Sequence, residues 1–221
     1  MGVTPAPEQA SPLRLGVLGG TFDPIHVAHV ALARAAIDAL RLDRVLLVPS
    51  GQPWQKPELR TPAAHRLAMA RLAAQADPRL EVDAIEVEHD GPSYTVDTLA
   101  TLRGRVGPRA QLVLILGSDQ LRNLHTWHRW QSLFDFAHVA ATQRERVPLS
   151  DLPAPVEAVL RERGRDALPD APAGGIVFFR MPAVPVSATA IRTQFQAGGR
   201  PDGLVAPAVL DYIDRHGLYR R

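Results

Sequence analysis

Two six-residue runs, RVLLVP at 44–49 and QLVLIL at 111–116, hold only apolar side chains after their first residue. Alternate residues of a strand point to opposite faces, so such a run must be covered on both sides. Interior strands of a parallel sheet flanked by helices meet that demand. The rest of the chain keeps the same rhythm. Strand patterns at 13–18, 80–87, 138–142 and 176–180 alternate with helical patterns at 27–40, 63–75, 95–103 and 130–136. Thr61 as N-cap and Pro62 in the first turn are expected to open the second of these helices. Strands alternating with helices predict right-handed crossovers and an α/β fold, a doubly wound parallel sheet.

A chain of 221 residues fits one such domain, here 13–221. Residues 1–12, MGVTPAPEQASP, have neither the basic start nor the apolar centre of a signal peptide, and read as a disordered tail. Two segments interrupt the alternation. SGQPWQKPELRTP (50–62) is a proline-punctuated loop, and 144–175 reads as a polar, mobile surface insertion with one short helical pattern at 156–163. Beyond the last strand pattern, VSATAIRTQFQAGG is a capped helix ended by glycines, and PAVLDYIDRHGLYR is a final amphipathic helix; 187–221 forms a small C-terminal helical part.

Composition removes several classes of function. No apolar run reaches the roughly 20 residues a membrane helix needs, so no membrane role is expected. The absence of cysteine excludes disulfides and thiolate chemistry and fits a cytoplasmic protein. Net charge is only +2, and of 25 basic residues all but Lys56 are arginine. There is no basic stripe interleaved with aromatics, so nucleic acid is not an expected partner.

Ligands of an open parallel sheet bind beyond the C-terminal ends of its strands, where the strand order reverses. The stretch GGTFDPIHVAH (19–29) lies at that position after the first strand, yet it has neither of the glycine patterns that usually cradle phosphates there. Gly19 and Gly20 allow close backbone approach to an anion. Asp23-Pro24 can start the following helix, with its first residue anywhere from 24 to 27. His26 and His29 then share one face of the first turn, where free amides and the helix dipole favour an anion. Two imidazole donors suit a phosphate whose charge grows during reaction. A metal pair is the alternative, although no third ligand is apparent, as are two ordinary, partly exposed histidines.

GGTFDPIHVAH resembles the T-x-G-H/H-x-G-H nucleotidylyltransferase superfamily, and VSATAIR (186–192), about 160 residues later, resembles its second signature. Ala28 stands where that pattern usually has glycine. Within the superfamily, GPSYTVDTL (91–99), LGSDQLRNLHTWHRW (116–130) and the C-terminal VLDYIDRHGLYR are similar to the nicotinate mononucleotide adenylyltransferases, and the resemblance covers 13–221. It implies a Rossmann-like fold and transfer of the adenylyl group of ATP to nicotinate mononucleotide, giving deamido-NAD and pyrophosphate, with Mg²⁺ accompanying ATP. His26, His29 and Arg192 would be catalytic. Gly19, Gly20, Thr21, Phe22, Gly117, Asp119, Ser187 and Thr189 would bind ATP, with 187–221 completing that site.

For the acceptor, the resemblance implies Trp127 stacking on the pyridinium ring, which suits a cation over indole. Ser93, Tyr94 and Thr95 would take the carboxylate, and Lys56 and Arg144 the phosphates. Each has a plainer alternative. Trp127 suits a core, with Trp130 the stronger core member; SYT and Asp119 suit helix caps; Lys56 and Arg144 suit solvated loops. The other histidines read as ordinary, and the carboxylates of EVDAIEVEHD as a solvated strand edge.

Overall fold

Six strands form the parallel sheet that the apolar runs require. In the computed structural model, which describes residues 11–53, 61–143 and 152–220, the chain begins β1 (Arg14–Gly20), α1 (Val27–Leu40), β2 (Arg44–Pro49), β3 (Gln52–Pro53), α2 (Ala63–Ala74), β4 (Leu80–Val82), β5 (Pro92–Ser93) and α3 (Thr95–Val106). It continues β6 (Gln111–Leu116), α4 (Ser118–Arg122), α5 (Leu133–Phe136), β7 (His138–Gln143), α6 (Ala154–Arg163), β8 (Ile176–Arg180), α7 (Ala188–Gln196) and α8 (Pro207–Arg215). The sheet order is β4-β2-β1-β6-β7-β8, every neighbouring pair parallel. The chain winds outward from β1 to one edge, returns to β6 beside β1, and winds to the other. The order therefore reverses between β1 and β6, and the loops after Gly20 and Leu116 flank that crevice.

Alternation within the strands divides the core into two layers. Leu18, Val45, Leu47, Val113 and Ile115 pack under α1, α2, α7 and α8, while Leu15, Val17, Leu112, Leu114 and Leu116 pack under α3, α5 and α6. Gly16 lies where β1 is most crowded: a Cβ there would stand 2.7 Å from Val45 and 2.9 Å from Ile115 and Leu42.

Several expectations need correction. The strand expected over 80–87 stops at Val82, because the Asp83 carboxylate accepts the Ile85 amide and a turn follows on Ala84. Its carboxylates are not all a solvated edge: Glu86 turns inward and accepts from the Thr98 hydroxyl at 2.7 Å. Pro62, rather than Thr61, is the N-cap of α2. The 130–136 pattern is a 3-10 turn at Trp130–Ser132 followed by α5, entered through Arg129 in the left-handed region. Trp130 is half-buried like Trp127, and both pack against the second layer. Of the tail expected over 1–12, residues 1–10 lie outside the described residues.

The described part of 144–175 is packed rather than loose. Val156 and Val159 of α6 are buried in the second layer. The chain from α6 to β8 is bolted down through its carbonyls. Arg103 donates to Pro172, Gln111 to Pro169, and the buried His138 Nε2 to Ala171 at 2.7 Å, while the Gly175 amide donates to His138 Nδ1 at 2.9 Å. Removing that imidazole leaves the buried Gly175 N–H without a partner, at about 1–3 kcal/mol, and takes the donor from the half-buried Ala171 carbonyl at a smaller cost. His138→Ala is therefore expected to lower stability by about 2–4 kcal/mol, read as a reduced urea midpoint with unchanged slope. A change under ~0.5 kcal/mol would mean the segment is not held by this residue.

Candidate active site

The loop after β1 is built inward. Phe22, Asp23, Pro24, Ile25 and His26 are all buried, with Phe22 at φ 48° and a cis peptide bond between Asp23 and Pro24. Gly20 is small because Phe22 needs the room: a Cβ on Gly20 would meet the phenyl ring at 2.9 Å. At Gly19 a Cβ would meet no atom of the described residues within 4 Å.

His26 is the N-cap of α1 rather than a residue of its first turn, and His29 is the third helical residue. The rings stack with centroids 3.8 Å apart, and His29 meets Phe22 edge-on at 5.0 Å. The backbone N–H of His26 donates to His29 Nδ1 at 3.2 Å. An accepting Nδ1 carries no proton, so the neutral His29 ring has its N–H at Nε2 and presents a donor. Burial pulls His26 down to about 4, so it is neutral at pH 7, and its buried Nδ1 has no hydrogen-bond partner among the described residues.

That depressed value has a stability consequence. The unfolded His26 takes up a proton near its ordinary value of 6.5, the folded ring only near 4, so stability is lost as pH falls below 6.5. Lowering pH from 7 to 5 should cost about 2 kcal/mol through this residue. His138, also depressed by burial, acts in the same sense, and Glu86, raised by burial, in the opposite one. The difference between wild type and His26→Asn isolates His26. The variant should lose about 2 kcal/mol less over that range, measured by urea unfolding at the two pH values, and equal losses would refute the buried neutral state.

The second signature meets the first at the loop. Arg192 Nη1 donates to the Asp23 carbonyl at 2.8 Å and Nη2 to the Thr189 hydroxyl at 3.3 Å, so α7 stands beside the entrance of α1. Ser187 is the N-cap of α7, its hydroxyl accepting the Ala190 amide at 3.2 Å. On the other side of the crevice Gly117, not Asp119, is the N-cap of α4, and Asp119 is exposed in its first turn.

The acceptor residues gather at the start of α3. Tyr94 is the N-cap, its own side chain making no cap hydrogen bond, and Thr95 is the first residue of the helix. Ser93, in β5, pairs with Pro53 of β3, so the loop after β2 is hydrogen-bonded to the SYT segment. Tyr94 lies on His128 with ring centroids 4.3 Å apart, next to the half-buried Trp127. Lys56 and Arg144, like the altered Trp54-Gln55, lie outside the described residues.

Sequence reasoning missed three members of this neighbourhood. Arg66 is 1% exposed, Tyr219 donates its hydroxyl to the Asp23 carboxylate at 2.6 Å, and Glu86 is turned toward α3. Arg66 had a signal: it is a cation in the buried stripe of α2 that includes Leu67, Met69, Ala70 and Ala73. The ends of Tyr219 and Glu86 had none, because their partners are set by the fold.

Comparison with known proteins gives a consistent result. The cytidylyltransferase-like family model matches residues 17–194. The chain is 45% identical to a "Probable nicotinate-nucleotide adenylyltransferase" of Laribacter hongkongensis, covering 93% of this chain and 94% of that one. It is 42% identical to a protein of the same name from Bordetella petrii, over 94% and 99% of the two chains. Its fold is similar to the Plasmodium falciparum nicotinic acid mononucleotide adenylyltransferase, solved in complex with NaAD, with TM-score 0.72 at 18% identity over 94% and 97% of the chains. The same enzyme complexed with APC gives 0.70.

Proposed function

We infer the reaction from a premise now in place: the chain belongs to the cytidylyltransferase-like family and, within it, to the nicotinate-nucleotide adenylyltransferases. It is an enzyme that transfers the adenylyl group of ATP to nicotinate mononucleotide, releasing pyrophosphate and forming deamido-NAD. A phosphate oxygen of the mononucleotide, already anionic at neutral pH, attacks the α-phosphorus. The bond from that phosphorus to the bridging oxygen breaks, and the pyrophosphate takes the electron pair. No general base is needed, so the protein's task is positioning and charge stabilisation.

The observation that carries this reading is the donor state of His29, set by its Nδ1, at the N-terminus of α1 with Arg192 alongside. In it, His29, His26, Arg192 and the backbone of Gly19–Phe22 hold the triphosphate, with Ser187 and Thr189 from α7. Gly117 and Asp119 face the adenosine half across the crevice. Trp127, Ser93, Tyr94 and Thr95 hold the nicotinate, and Lys56 and Arg144 its phosphate. A magnesium ion would enter with ATP. Such an ion neutralises triphosphate charge.

Pyrophosphate release from ATP, followed on addition of nicotinate mononucleotide, nicotinamide mononucleotide or phosphopantetheine in turn, tests the reading. Turnover is expected to be fastest with the nicotinate compound. Preference for phosphopantetheine, or no release with any acceptor, would refute it.

A further inference from the structure

We propose that Arg66 is a positioning residue that fixes the acceptor-side loop to the triphosphate loop. The inference rests on the adenylyltransferase reading, which says what each loop would hold. Arg66 sits in α2, outside the crevice, with its guanidinium fully buried. Its three nitrogens donate to three carbonyls: Nε to Thr61 at 3.2 Å, Nη1 to Thr21 at 2.8 Å and Nη2 to Gly51 at 2.9 Å. Gly51 and Thr61 lie on either side, in sequence, of the stretch that includes Lys56. Thr21 belongs to the loop between Gly20 and His26. One planar fork thus holds the chain at Gly51, at Thr61 and at the first residue after β1.

The grip reaches further than its three bonds. From Gly51 the chain enters β3, which pairs with β5 at the threshold of α3. Gly51 also packs against the turn that bears Glu86; a Cβ on Gly51 would fall 1.9 Å from the Glu86 carbonyl and 3.1 Å from the Ser93 hydroxyl. Glu86 in turn receives the Thr98 hydroxyl of α3. A continuous path therefore runs from Thr21 through Arg66 and Gly51 to the start of α3. Burying a cation is costly and is rarely done without compensation. Asp23 and Glu86 supply negative charge nearby, partly offsetting the burial that pulls the guanidinium's pKa down. A hydrophobic side chain would fill the same space without that cost. What it could not supply is a rigid set of donors aimed at three segments.

In-line transfer demands relative placement of two reactants, and an error of about 1 Å can cost on the order of 100-fold in rate. Loosening the link between the two loops should therefore affect turnover more than the affinity for either substrate. Arg66→Lys keeps the charge and replaces the fork by a single point, which cannot span three carbonyls. We expect its kcat to fall by roughly 10–100-fold, with KM for ATP and for nicotinate mononucleotide each changed less than about threefold. Amide exchange at Thr21 and Gln52 should rise together, while the amides of α2 keep their protection. Gly51→Ala, whose Cβ would collide with the Glu86 carbonyl and so displace Gly51 from the fork, should give the same pattern, and the double variant should be no worse than the more affected single one.

Equal kcat in wild type and Arg66→Lys, or unchanged exchange at Thr21 and Gln52, would overturn the proposal. So would losses confined to KM, or loss of protection throughout α2, which mark a merely structural role. If Arg66→Lys does not fold, the same readouts on Gly51→Ala decide. Failure of wild type to release pyrophosphate would refute the adenylyltransferase reading alone, and the exchange measurement would still decide whether Arg66 couples the loops.

Discussion

Replacing His29 by alanine is expected to lower kcat by about 10²–10³-fold, the loss measured for other preorganised donors to a developing charge, or about 3–4 kcal/mol. The geometry explains why this side chain should matter so much. Its Nδ1 accepts the His26 amide, which leaves the ring proton on Nε2. The ring is held from two sides, by the His26 stack and by the edge contact with Phe22. A donor placed in this way would have little reorganisation to do as negative charge accumulates on the departing pyrophosphate. His29→Asn, which retains a short donor in place of the imidazole, should recover part of the loss, whereas His29→Phe should recover none. Steady-state kinetics at saturating ATP and mononucleotide checks this, with an unchanged melting curve as control. A kcat within about threefold of wild type in His29→Ala would remove His29 from the transition state. His26→Ala should be non-additive with it, because the two rings touch.

The sheet was legible because its signals are local and redundant. VLLVP and LVLILG could be nothing but covered strands, and the boundaries of α1 and β2 follow from periodicity and from the turns that end them. The pairing of the two signatures was legible too, through the residues they contain. What brings them together was not: Arg192 reaches the Asp23 carbonyl from the opposite end of the chain, and neither residue announces the other. The same holds for 144–175. Its prolines and charges read as a loose insertion, yet its carbonyls are collected by Arg103, Gln111 and His138, residues of a helix and two strands far back in sequence. Composition describes what a segment could satisfy with water; it says nothing of buried donors waiting elsewhere. The stretch EVDAIEVEHD failed for a related reason. Glu86 looks like its neighbours, and only the turn on Ala84 directs it toward Thr98.

The choice between acid and amide is the other large effect, and it follows from the start of α3. Nicotinate and nicotinamide mononucleotides differ only in a carboxylate against a carboxamide. Tyr94 occupies the N-cap position but offers no side-chain acceptor to the first turn, so the helix end keeps its positive character for a ligand. The Thr95 hydroxyl stands in that turn and can add a donor. A carboxylate accepts from every such group. A carboxamide satisfies them with its oxygen and turns its NH₂ toward another donor, a buried mismatch worth about 1–3 kcal/mol and more where charge is involved. Together with the dipole, this predicts a kcat/KM at least roughly 10²-fold higher for nicotinate mononucleotide. Thr95→Ala should narrow the gap by weakening the acid more than the amide, because only the acid draws its full benefit from that hydroxyl. Trp127→Ala should weaken both compounds alike, because both carry the same cationic ring. The four rate constants, two substrates on each of two variants, are compared with wild type in one pyrophosphate assay. Equal efficiencies for the two mononucleotides in wild type would reduce SYT to an ordinary helix start, and a Trp127→Ala effect confined to one substrate would take the indole off the ring.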